Sequence, residues 1–81
     1  METFNIYDEV IVLLQDNFYH AMVYGNMANK VHIIIKEKTS SPKGDVWERD
    51  MMYDREYFIT QDRIVVKTYD AKTDKFLAEQ E

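Results

Sequence analysis

Tyr7-Asp8-Glu9-Val10-Ile11-Val12-Leu13-Leu14-Gln15-Asp16-Asn17-Phe18-Tyr19-His20-Ala21-Met22-Val23-Tyr24 decides the fold class of this chain. Two runs rich in β-branched and aromatic residues flank Gln15-Asp16-Asn17, where Asp and Asn suit tight-turn geometry. Strand, turn and strand is the direct reading, with strands over 7–15 and 18–24. Val10 to Leu14 is apolar on both faces, more than one small core consumes, which points to a self-association or partner contact.

Outward from that hairpin the pattern continues. Gly25 and Asn26 start another turn. Lys30 to Lys36 follows as a third strand, with Val31, Ile33 and Ile35 on one face and His32, Ile34 and Lys36 on the other. Thr39-Ser40-Ser41-Pro42-Lys43-Gly44 holds the only proline and one of the two glycines, and reads as a loop. Beyond it, 46–60 admits two readings. A helix would align Trp47, Met51 and Phe58, but Asp50 and Asp54 interrupt that stripe. An extended chain sorts the segment more cleanly, with Glu48, Asp50, Met52, Asp54 and Glu56 alternating against the residues between them. Ile64 to Tyr69 is a further strand, and Asp70-Ala71-Lys72-Thr73-Asp74 turns back through Phe76 and Leu77, with a short terminal helix as the alternative. The expectation is an all-β single domain over 1–81, with room for one short helix. Its strands would form a small five- or six-stranded antiparallel SH3-like barrel or a bent sheet.

Tyr7 to Val12 followed by Asp16 to Val23 resembles the opening of SH3-like barrels of the Tudor and KOW type. Those begin with an acidic turn and a hydrophobic strand, then a turn, an aromatic pair and a small residue. Phe18 and Tyr19 hold the pair position and Ala21 the small one. The resemblance covers roughly 7–37. In Tudor-type relatives it implies an aromatic cage for methylated lysine or arginine, with Phe18 or Tyr19 as first wall. The next strand, 31–35, has His32 as its only ring. In KOW-type relatives it implies RNA binding through basic loops, and Lys38 and Lys43 are the only basic residues between Glu37 and Glu48.

Composition narrows the function. With 81 residues, 46% of them hydrophobic, there is room for one modest core. Cysteine is absent, which excludes disulfides and thiolate metal sites and fits a reducing, cytoplasmic setting. No basic segment followed by an apolar one opens the chain, and no apolar run approaches a membrane span. Fifteen acids against ten Lys and Arg give a net charge of −5, a surface that repels nucleic-acid phosphate rather than collecting it. Catalytic constellations are missing too. Ser40 and Ser41 share one loop, His20 and His32 lack metal-ligand spacing, and two glycines cannot build a phosphate loop. The chain therefore reads as a binding protein and not an enzyme, with no cofactor and no metal.

Asp45, Glu48, Asp50, Asp54, Glu56 and Asp62 crowd the segment after the loop, opposed there only by Arg49 and Arg55. In an extended chain, same-face residues stand about 6.6 Å apart. That is comparable to successive phosphates along a DNA strand, roughly 6 to 7 Å. Such a ladder predicts a nucleic-acid mimic that occupies and inhibits the DNA-binding surface of a basic protein, and a homodimer would extend it. In size, charge and lack of cysteine the chain resembles small phage-encoded DNA mimics. The competing expectation is an SH3-like adaptor gripping a peptide or partner domain through Phe18, Tyr19, Tyr24 and Trp47. Six Tyr, one Trp and five Met supply residue types common at interface centres.

Overall fold

The computed structural model describes residues 4–39, 52–77 and, for the backbone alone, 47–48. The first hairpin forms where the sequence puts it. Strands β1 (Glu9–Leu14) and β2 (Asn17–Met27) pair antiparallel, with Leu14 opposite Asn17 across a two-residue turn. Both turn residues are left-handed, Gln15 at φ 51° and Asp16 at φ 66°. That backbone matches the twist of the flanking strands and is served best by Asn followed by Gly. Gln15→Asn combined with Asp16→Gly is expected to raise stability by about 1 kcal/mol, because left-handed geometry costs an ordinary residue on that order. The unfolding midpoint should then rise by about 4–8 °C. A thermal melt showing no rise would contradict the turn.

Strand β3 (Lys30–Thr39) pairs with β2 along its length. Val31, Ile33 and Ile35 are buried and the residues between them face outward, as their alternation requires. The turn expected at Gly25 and Asn26 is not there. β2 runs on to Met27 and reverses at Ala28, whose φ is 41°. The chain absorbs Gly25 by a bulge: Val23 pairs with Ile33 and Gly25 with His32, leaving Tyr24 as the extra residue.

The single strand expected over 46–60 is also corrected. It consists of β4 (Trp47–Glu48) and β5 (Glu56–Thr60), both paired to the same edge of β3. Glu48 lies opposite Lys38 and Glu56 opposite Ile34. Glu48 and Glu56 are eight positions apart where their partners Lys38 and Ile34 are four apart, so one continuous register cannot join the two pairings. A turn over 52–54 ends with Asp54 left-handed at φ 68°, a conformation Asp tolerates better than most residues. Ile35 closes this irregularity. Its N–H donates to the Arg55 carbonyl at 2.8 Å, and its carbonyl accepts from the Asp54 N–H at 2.7 Å.

A single-turn 3-10 helix (Gln61–Arg63) leads into β6 (Ile64–Asp70), which pairs with the free edge of β1. The last hairpin returns through β7 (Lys75–Phe76). The seven strands among the described residues belong to one antiparallel sheet in the order β4-β3-β2-β1-β6-β7, with β5 beside β4 on β3. Of barrel and bent sheet, the molecule is the bent sheet: no pairing among the described residues joins β7 to β4 or β5. None of the described residues forms an α-helix, and none a helix long and apolar enough to cross a membrane.

The core lies on one face of this sheet. Phe4, Val10, Val12, Tyr19, Ala21, Val23, Val31, Ile33, Ile35 and Ile59 form a single buried cluster. Ile11 is buried as well, outside that cluster, on the opposite face of β1, where its cross-strand neighbours are His20 and Val66. The apolar run of β1 is thus consumed within the chain: Val10, Ile11 and Val12 are buried and Leu13 and Leu14 half-buried. Leu13 and Leu14 are the part of the run that stays partly exposed.

Candidate functional site

Four rings line up on the face of the sheet opposite the core cluster. His32 of β3 lies directly across from Phe58 of β5, and their rings stack at 4.6 Å between centroids with planes 19° apart. On its other side His32 faces Gly25, which has no side chain to fill the space. The bulge turns Tyr24 toward that space, its ring 6.0 Å from His32 at 64°. Tyr7 continues the row, edge-on to Tyr24 at 6.2 Å and 83°. Offset and edge-to-face geometries of this kind are the favourable ones for aromatic pairs. The row is also wet: Tyr7 is 60% exposed, Phe58 52% and Tyr24 41%, and Ile6 and Met27 are comparably exposed. Glu56 flanks it, with its carboxylate 3.0 Å from His32 Nε2.

Tyr7 takes its place at a conformational cost. Its φ is 78°, a region that a bulky side chain rarely enters. Two sets of bonds hold it there. Its N–H donates to the Val23 carbonyl at 2.7 Å, and the Asn26 amide donates to the Phe4 carbonyl. Next to it Asp8 is completely buried, and its carboxylate accepts from the Asn5 N–H (2.8 Å), the Ala71 N–H (2.7 Å) and Lys67 Nζ (3.3 Å). Lys67 also bridges to Asp70 at 2.8 Å and sits 5.8 Å from the centre of the Phe4 ring. The N-terminal segment is in this way locked to the β6–β7 turn.

The Lys67 hydrogen bond, followed by that of the Thr73 hydroxyl, holds Asp70 down at a pKa of about 2. The same bond to Asp70, with Asp8 beside it, pushes Lys67 above its ordinary value. A carboxyl lowered in the folded state stabilises the protein above its unfolded pKa and loses that effect as pH falls through the folded value. A raised ammonium acts in the opposite sense, stabilising below its unfolded pKa and losing the effect as pH rises past the folded one. The Asp70 contribution is therefore complete above about pH 4 and lost toward pH 2. Asp70→Asn should flatten the fall in melting temperature across that acid window. An unchanged acid limb would show that this carboxylate does not carry it.

Of the acids singled out by sequence, the three among the described residues, Asp54, Glu56 and Asp62, do not share one extended strand. Asp54 is exposed in the left-handed turn, Glu56 begins β5 beside His32, and Asp62 sits in the 3-10 helix, accepting a hydrogen bond from the Thr60 hydroxyl. Three acids thus occupy three backbone settings, because the extended segment that would have spaced them evenly is interrupted. Asp45, Asp50 and the side chain of Glu48 lie outside the described residues. Of the aromatic candidates, Tyr24 is on the exposed row. Tyr19 is buried in the core at 3% exposure, and Phe18 is half-buried opposite Leu13 and Thr39. Trp47 pairs with Thr39 through β4, and its side chain lies outside the described residues. No protein-family model matches the chain, and no curated protein or solved structure matches it.

Tyr7, His32 and Phe58 are the members of the row that sequence reasoning did not assign. His32 carried a usable signal, since the alternation of β3 already put it on the outer face. Phe58 follows Tyr57 directly, and only the register with β3 decides which of the two rings faces out. Among the described residues no three His, Asp or Glu side chains gather as they would around a metal ion.

Proposed function

We propose that this chain is a non-enzymatic binding module whose contact surface is the row Tyr7, Tyr24, His32 and Phe58, taking a peptide or partner domain. One observation carries the reading: four rings from the N-terminal segment and three strands touch in sequence on an exposed face. Burying rings in the core would satisfy the hydrophobic effect without a partner. Rings left in water but already in contact with one another are pre-ordered and have little side-chain entropy left to lose on binding. Clusters of this composition dominate the energetics of interface centres.

A second reading, the nucleic-acid mimic that occupies and inhibits a basic DNA-binding protein, is favoured by the exposure of Asp54, Glu56 and Asp62 and by the net charge of −5. Salt and mutation separate the two. After nuclease-treated capture of a partner from lysate, affinity is measured from low to moderate salt. The ring-row reading expects Phe58→Ala and Tyr24→Ala each to weaken binding about tenfold or more, on the order of 1.4 kcal/mol, with little salt dependence. Both side chains are only half covered, so their loss removes ring contacts worth about 1 kcal/mol and leaves the fold in place. Affinity that survives both substitutions but collapses with salt, with competing DNA and with Asp54→Lys plus Glu56→Lys overturns it in favour of mimicry.

A further inference from the structure

We propose that the end of the row at Phe58 is an anion subsite, and that its ligand is a peptide carrying a carboxylate next to an apolar side chain; this rests on the reading of the row as a binding surface. Phe58 lines two open hollows. One, of about 310 Å3, is lined by Leu13, Leu14, Ile59, Lys30 and Arg63; the other, of about 410 Å3, by Met27, Ala28 and Asn29, and it shares Lys30 and Phe58 with the first. Each is of the size that takes a side chain or small ligand.

This end carries two cations, Lys30 and Arg63, and one acid, Asp62, whose carboxylate accepts from the hydroxyl of Thr60, the residue across from Lys30. Lys30 opens β3 and Arg63 closes the 3-10 helix, both exposed, and neither has an acidic partner among the described residues. Two cations beside leucine, isoleucine and phenylalanine suit a ligand with one negative group and one apolar group. A polyanion such as nucleic acid would meet the field of a −5 chain, whereas one carboxylate interacts mainly with the charges closest to it.

The backbone favours a peptide as well. The Ile35 N–H donates to the Arg55 carbonyl, which fixes the alternation along the β3–β5 ladder. Tyr57 and Ile59 bond inward to β3, and the N–H and C=O groups of Glu56, Phe58 and Thr60 point to the outer edge of β5. No strand pairs with that edge among the described residues. An extended segment added there would place alternate side chains over Phe58 while its carboxylate reaches Lys30 and Arg63.

The test uses short fluorescent peptides sharing an apolar centre flanked by Glu, Gln or Lys, each made with a free and an amidated C-terminus. Their binding to the full chain is read by anisotropy. The Glu peptide should bind about tenfold tighter than its Gln counterpart, the scale of one charge-assisted hydrogen bond. Lys30→Glu with Arg63→Glu should abolish that preference and leave the Gln peptide's affinity unchanged. A preference seen for Glu in both terminal forms assigns the carboxylate to a side chain; tighter binding of free than of amidated termini assigns it to the chain end. Equal binding of Glu and Gln peptides with equal binding of free and amidated ends, no binding of any peptide, or tighter binding of single-stranded oligothymidylate overturns the proposal. So does a dimer, seen by sedimentation, that Phe58→Ala dissociates. Phe58→Ala distinguishes the two levels: peptide binding that it removes, in the absence of a charge preference, sinks the acidic ligand alone. Binding that it leaves intact sinks the ring row itself.

Discussion

Asp8→Ala is expected to cost about 3–4 kcal/mol, a large share of everything that holds this protein together. A chain of this length has roughly 4–12 kcal/mol of total stability. The carboxylate is wholly buried and accepts from two backbone N–H groups and one ammonium, joining residues 63 positions apart in the Ala71 contact. Truncation leaves the half-buried Asn5 and Ala71 donors without their acceptor and removes the buried half of an ion pair, a change that costs about 3–5 kcal/mol where both partners are fully buried. The lower part of that range applies because Lys67 keeps Asp70. Asp8→Asn is a sharper probe. It preserves shape and one acceptor but turns its amide toward a donor, so an intermediate loss of about 2 kcal/mol is expected. Urea unfolding midpoints measure both. Losses under about 1 kcal/mol for both variants would mean that the N-terminal segment is not anchored through Asp8. The same variants should also release Tyr7 from its left-handed backbone and so loosen the end of the ring row.

That anchor was invisible in the sequence for a simple reason. Asp8 stands in what reads as an acidic turn before a strand, and its partners lie around Lys67 and Asp70, with no local spacing that announces them. What was legible is what depends on neighbours in the chain. The β1–β2 hairpin follows from two β-rich runs around a turn, and the core face of β3 from the alternation of Val31, Ile33 and Ile35. The last hairpin follows from Asp70 to Asp74. Reading failed where pairing with another strand decides the geometry. Gly25 looked like a turn residue, yet the bulge keeps it in β2 opposite His32. The alternating acids of 46–60 presumed an unbroken strand, and the turn over 52–54 breaks it before Glu56. The doubly apolar face of β1 looked like an unused surface because sequence counts apolar residues but does not show that Ile11 is covered from behind. Half of the ring row depended on the same unknown, since register alone separates Phe58 from Tyr57.

Register is therefore the quantity on which both fold and site stand, and Ile33→Ala measures it. Ile33 is completely buried in the middle of β3, between Val23 of β2 and Tyr57 of β5. Removing its branched side chain leaves a cavity hemmed by strands on both sides that cannot collapse into it, and the expected loss is about 3–5 kcal/mol. Ile33→Val removes one methylene and should cost about 0.5–1.5 kcal/mol. Ile34, its neighbour, points to the opposite face and is only half-buried, so Ile34→Ala should cost far less than Ile33→Ala. Because side chains alternate with period two, a slip of one residue would exchange these costs. It would also turn His32 into the core and take it away from Tyr24 and Phe58. A larger loss for Ile34→Ala than for Ile33→Ala would therefore remove the ring row together with the register. The expected order of the two keeps His32 on the outer face, where its stacking on Phe58 gives a partner a flat, exposed surface to bind.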